Sequence, residues 1–327
     1  MKNFFYNKSL SFIIITSILF FLTTITFCYF YLHLNQLVNI SDSDYAFKEL
    51  FINYQAGLVR RGFLGEIFWQ LNTFFSINPV IFFSFLFFTM YLIQIYLFYK
   101  LFEAFRKNYF ISILIFFSPA LILFTVYNPN LFYLKDIFIK VSILFHAVLV
   151  MRYLNNSNID NYIIKLKYLI IPLLSVIIFI HEYQVLFLSI HFLLSLSFIK
   201  NKKSFSRVLK IYSILIIPIF FTLFYIGDQS QYEQLNLILK KFDISVHPQL
   251  GGGFYKAIGG FYKWHFFYFS YQDFVNLFFS IFLSILIFYL IFHYLIKNKI
   301  LKIHTAFQNK YYYFFLPTLA CFILATD

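Results

Sequence analysis

An all-α bundle of transmembrane helices is the fold class this sequence predicts, and three observations carry it. Hydrophobic residues make up 61% of the 327-residue chain and charged residues 12%, about half the charge of an ordinary soluble domain. Mean hydropathy is +0.77. The apolar residues come in separate runs of near membrane-crossing length, with basic residues gathered beside them. At roughly 25 to 40 residues per helix and loop, the chain predicts about nine spans in a single integral membrane domain, 1–327.

The first run extends from about Leu10 to Tyr31, behind Met1-Lys2 and Lys8. It is longer than a signal-peptide core and lacks a small-residue cleavage site, so it reads as a retained signal anchor. Further runs lie near 78–99, 110–127, 137–151, 168–180, 185–199, 209–226, 274–296 and 311–326. Residues 168–199 are too long for one upright helix at about 1.5 Å per residue. Lys165 and Lys167 precede this stretch and Lys200, Lys202 and Lys203 follow it, which predicts a short helical hairpin with its tip at 181–184. The last run stops at Ala325-Thr326-Asp327, which suits a natural end and a C-terminally truncated fragment equally.

With the N-terminus cytoplasmic, the loops holding Arg106-Lys107, Arg152 to Lys167, Lys200 to Lys210 and Lys297 to Lys310 all fall on one side. Of the 26 Lys and Arg, 17 lie inside, eight outside and Lys140 within a span. This is the positive-inside distribution. The abundance of Phe, Ile, Asn and Lys fits A+T-rich coding, so the expected location is a bacterial cytoplasmic (inner) membrane, with membrane lipids as partners. The formal charge of +13 then reflects topology, and nucleic-acid binding is not expected. Cys28 and Cys321 each sit in an apolar run, which excludes a disulfide framework or a paired-cysteine metal site. Neither a cofactor nor a metal is expected.

The longest connections, about 34–77 and 227–273, both lie outside. The first contains Asp42 and Asp44, then Asn53-Tyr54-Gln55-Ala56-Gly57-Leu58-Val59-Arg60-Arg61-Gly62-Phe63-Leu64-Gly65-Glu66. Arginines between glycines present guanidinium forks suited to a phosphate; the alternative is interfacial anchors paired with Glu66. Asp44, and secondarily Asp42, is placed to act as a general base toward a hydroxyl, or to cap a helix. Lys135-Asp136 opens the fourth span, with Lys140 one turn on, and ionisable groups at that depth usually face a bundle interior or a cavity. His181-Glu182 puts an imidazole beside a carboxylate at the hairpin tip. Position 185 is Val, so the second histidine of a zinc-protease motif is missing. The loop 227–273 adds glycines and an aromatic stretch, Phe261-Tyr262-Lys263-Trp264-His265, readable as a sugar-stacking surface or as a membrane-interface belt.

Asp42 and Asp44 in the first outer loop, followed by Arg60 and Arg61, together with many spans and two longer outer loops, resemble the polytopic GT-C glycosyltransferases and the related O-antigen and capsule polymerases. That resemblance implies glycosyl transfer from a polyprenyl-phosphate-linked sugar at the outer face, in cell-envelope polysaccharide or glycolipid assembly. Asp44 would be the base and Arg60 or Arg61 the phosphate ligands. Glu66, Lys135, Asp136, His181 and Glu182 are expected to line the same site. A transporter or flippase for an anionic lipid or solute would use the same groups for binding and coupling. A non-catalytic membrane subunit is the third reading.

Overall fold

A computed structural model describes residues 8–35, 45–59, 61–104, 132–156, 159–182, 184–196, 202–224 and 229–242. These residues are helical throughout apart from turns and short links, with no strand among them. The elements are α1 (Lys8–Leu34), α2 (Tyr45–Glu49), α3 (Phe63–Phe75), α4 (Pro79–Ala104), α5 (Asp136–Asn156), α6 (Ile159–Ile180), α7 (Gln184–Leu196), α8 (Lys202–Tyr212), α9 (Ile216–Phe224) and α10 (Gln229–Leu239).

Among the described residues, three helical stretches are long and apolar enough to cross a bilayer: Pro79–Leu101, Ile159–Ile180 and Lys203–Thr222. Their outward residues, including Phe85, Tyr96, Tyr168, Ile217 and Phe220, are large and apolar, which suits a hydrocarbon environment. The runs read at 110–127, 274–296 and 311–326 lie outside the described residues.

Prolines account for local departures from regular helix. In α6 the turn Leu166–Ile170 is a π-helix immediately before Ile171-Pro172; a proline ring at 172 would otherwise press on the carbonyl of Tyr168. Likewise the 3-10 turn Ser213–Leu215 comes just before α9, which carries Pro218. The stretch expected as a cytoplasmic loop up to Lys167 is helical from Ile159 onward. Tyr162, Leu166 and Ile170 bury one face there, and that packing extends α6 beyond its apolar run.

Side-chain contacts set the directions of the helices. Asp136 meets His181 while His146 meets Tyr162, so α5 and α6 run antiparallel. Ser142 meets Gln184 and His146 meets His191, so α5 and α7 run parallel. The α6–α7 pair is therefore a hairpin, broken where His181 takes an extended backbone. At the hairpin tip the Gln184 and Val185 amides donate to the carbonyls of His181 and Glu182.

Residues 45–59 and 61–75, between α1 and α4, pack into the bundle. Phe47 and Phe51 meet Phe83 of α4 edge-on, and Phe68 of α3 joins them, at ring separations of 5.2 to 6.0 Å. Leu50 and Ile52 are fully buried. Asn78 caps α4 by accepting from the amides of Val80 and Ile81, with Pro79 at the first helical position.

Candidate functional site

Arg61 closes a tight loop built by its neighbours. The Asn53 side chain accepts from the Gln55 amide and the Gly57 amide donates to the Tyr54 carbonyl. Gly57 has φ 116° and Arg61 itself has φ 63°. A left-handed backbone at a long-chain residue is unfavourable by about 1–2 kcal/mol, so the surrounding contacts hold Arg61 there. Gly65 is required one turn into α3, because a Cβ would strike the backbone carbonyls of Ile52 and Leu50.

From this position the guanidinium enters a buried cluster of charge. Its Nε and Nη2 donate to the two carboxylate oxygens of Glu182 at 2.5 Å each, and Nη1 donates to Glu49. Lys135 donates to the Glu49 carbonyl at 3.1 Å and its ammonium lies 3.9 Å from the Glu49 carboxylate. His181 Nε2 lies 2.9 Å from Asp136, and its Nδ1 3.9 Å from Glu182. Three separate segments thus meet at one end of the bundle: α2 with its following loop, the start of α5, and the α6–α7 tip.

The electrostatics follow from mutual compensation. Burial opposes ionisation of Glu49, but the charges of Arg61 and Lys135 outweigh it and hold this carboxyl below its ordinary value. Burial likewise works against the Arg61 charge, and Glu182 and Glu49 more than restore it. Burial pushes Lys135 down to about 8, with the Glu49 carboxylate only partly offsetting the effect. A cluster of this kind is a store of fixed, desolvated charge.

Of the residues expected at a common site, Arg61, Lys135, Asp136, His181 and Glu182 are brought together. Glu66 is not the partner of Arg61. It accepts from the Tyr54 amide at 3.0 Å, from the Gln55 side chain at 3.0 and 3.1 Å and from Gln70 at 2.6 Å, and so braces the loop. The Tyr54 hydroxyl is pushed up to about 12 by burial and by the Glu66 charge. Asp42, Asp44 and Arg60 lie outside the described residues, as does Phe261–His265.

Glu49 was not singled out from the sequence, although a lone acid between Phe47 and Phe51 is a signal in a membrane chain. His146 and His191 likewise belong to no sequence motif. They face each other inside the bundle with Nδ1 atoms 3.0 Å apart, and the available signal was an imidazole within each of two apolar runs. No group of His, Cys, Asp and Glu suited to a metal occurs among the described residues.

No family model, curated protein or solved structure matches the chain.

Proposed function

We propose that this chain is a bacterial inner-membrane protein of about nine spans, N-terminus cytoplasmic, that transfers a glycosyl group from a polyprenyl-phosphate-linked donor at its outer face. The observation that carries the reading is the burial of Arg61, Glu49, Glu182, Lys135, Asp136 and His181 in one cluster at the bundle end. Sequence-remote loops converge there, and ionisable groups buried in a membrane protein, even when paired, mark substrate or ion pathways.

In this reading Asp44 takes the proton of an acceptor hydroxyl as that oxygen attacks the anomeric carbon. The bond from that carbon to the donor phosphate breaks, and the lipid phosphate leaves with the electron pair. Phosphate contact falls to Arg60, because the Arg61 fork is engaged by Glu182 and Glu49 and Lys135 is buried against Glu49. Arg61 then acts as a positioning residue for the two carboxylates. Deleting the gene changes envelope polysaccharide or lipid-linked intermediates, and the Asp44→Asn variant fails to restore them. An unchanged glycan profile in a strain that expresses the protein refutes the reading.

The engagement of Arg61 also favours a second reading, movement of an anionic lipid or solute. A phosphate would reach the guanidinium by displacing a carboxylate, and such an exchange of ion pairs can couple binding to a change of shape. Uptake of labelled lipid phosphate by proteoliposomes, with no glycosyl transfer detected, would select it.

A further inference from the structure

A second polar network lies wholly inside the bundle, apart from the ionic cluster. Ser142 of α5 is 3.3 Å from His191 Nε2 and 3.3 Å from the Gln184 carbonyl oxygen. His191 Nδ1 is 3.0 Å from His146 Nδ1, and His146 Nε2 is 2.9 Å from the Tyr162 hydroxyl. Tyr162 donates to Ser195 at 2.8 Å, and Ser195 lies 2.9 Å from the hydroxyl of Tyr212. Four helices contribute, and Ser142, His146, Tyr162, His191 and Ser195 are all fully buried.

Hydrogen-bond chemistry selects one proton arrangement for the middle of this chain. Since Tyr162 donates to Ser195, its oxygen accepts, and His146 must carry its proton on Nε2. The Nδ1 of His146 is then an acceptor, which places the His191 proton on Nδ1 and leaves His191 Nε2 to accept from Ser142. Every donor from His191 to Ser195 therefore points the same way, and the Ser142 hydroxyl, which also donates to the Ile139 carbonyl at 2.8 Å and to the Gln184 side-chain oxygen, joins them by rotating toward His191 Nε2. The Ser195 hydroxyl also reaches the His191 carbonyl at 3.1 Å, and its rotation toward Tyr212 completes the series.

We propose that this network is a proton relay that lets the protein conduct protons between the ionic-cluster end and the basic end of its bundle. When Ser142 receives a proton it passes its own to His191 Nε2. His191 releases its Nδ1 proton to His146, which releases its Nε2 proton to Tyr162. Tyr162 and Ser195 each pass one on, and Tyr212 releases one. At each station one N–H or O–H bond forms and one breaks, and both imidazoles finish as the opposite tautomer. Reorientation of the hydroxyls and imidazoles resets the chain.

The head of the path lies close to the ionic cluster. Ser142 is six positions along α5 from Asp136, and Gln184 three positions from His181. The Gln184 side-chain nitrogen is fully buried without a hydrogen-bond partner among the described residues. A buried unpaired donor costs about 1–3 kcal/mol, so this one favours a water at the head of the relay. Tyr212, half-buried, closes α8 two positions after Lys210 and lies midway along the stretch Lys203–Thr222, which follows Lys202 and carries Lys203 and Arg207 at its basic start. Along α7 the relay covers about 16 Å at 1.5 Å per residue, roughly half of a 30 Å hydrocarbon core.

The full chain, reconstituted in liposomes with an entrapped pH dye, tests this when a potassium gradient and valinomycin set the potential. The wild type should acidify or alkalinise the lumen faster than protein-free liposomes, with the sign of the potential. His191→Gln and Tyr162→Phe should each cut that flux at least tenfold. Arg207→Ala, at an exposed ion pair with Asp160, should leave it unchanged. Tyr162→Phe keeps the ring and removes only the hydroxyl, so it remains informative if His191→Gln does not fold. A wild-type flux equal to that of empty liposomes overturns the proposal, as does a folded Tyr162→Phe protein that conducts normally. Neither result touches the role of Asp44.

Discussion

Replacing Arg61 by Met removes the cation held between Glu49 and Glu182 and leaves two carboxylates facing each other, with Lys135 the nearest cation to Glu49. The side chains concerned are mostly out of solvent, at 13% exposure for Arg61, 11% for Glu49 and 16% for Glu182. Breaking a buried ion pair by deleting one partner costs about 3–5 kcal/mol. Removing the stranded charges as well should relieve most of that, so Arg61→Met combined with Glu49→Gln and Glu182→Gln is expected to be more stable than Arg61→Met alone. Met keeps the left-handed backbone at φ 63° as strained as before, so the comparison isolates the charge. Arg61→Gly separates the backbone contribution and should be less damaging than Arg61→Ala by about 1 kcal/mol. Equilibrium unfolding in mixed detergent, followed by tryptophan fluorescence, measures all four variants. An Arg61→Met protein within about 0.5 kcal/mol of wild type, the range of an unremarkable surface change, refutes the cluster as described. A triple variant no more stable than the single one does the same.

Three other outcomes are expected. Gly65→Ala forces α3 away from the backbone at Leu50 and Ile52 and should cost about 1–3 kcal/mol by overpacking, measurable as a lower unfolding midpoint in the same detergent system. Because the Glu49 carboxyl is held below its ordinary value, its charge contributes stability that is fully present above about pH 4.3. That contribution is lost as pH falls through the folded value; the unfolding midpoint should drop on acidification, and Glu49→Gln should flatten part of that slope. In a strain with a measurable glycan product, Asp44→Asn should abolish complementation, whereas Glu66→Gln, which keeps an acceptor for the Tyr54 amide, should retain it.

Much of the bundle is legible because hydropathy reports directly on the lipid-facing surface. The runs at 78–99 and 168–180 and the break at His181 reappear as α4, the second half of α6 and the hairpin tip. The start of α6 was not legible, since Ile159–Lys165 is polar on one face and buries only Tyr162 on the other. Composition also misleads about phenylalanine. With 52 in the chain no single one stands out, yet Phe47, Phe51, Phe68 and Phe83 form the packing that holds α2 against α4. Within the site, Arg61, Lys135, Asp136, His181 and Glu182 could be chosen as ionisable groups at helix ends. Their pairing could not, because Glu182 lies 121 residues from Arg61 in the chain. Glu66, nearer in sequence, faces the Tyr54 loop instead.

Joint placement of the first loop and the hairpin tip on one side of the membrane is the central claim, and topology reporters fused after Gln55, Glu182 and Lys203 test it most directly. The account predicts that the first two report from the translocated side and the third from the cytoplasm. Reporters at Gln55 and Glu182 on opposite sides would contradict it, because Arg61 and Glu182 could not then share an ion pair.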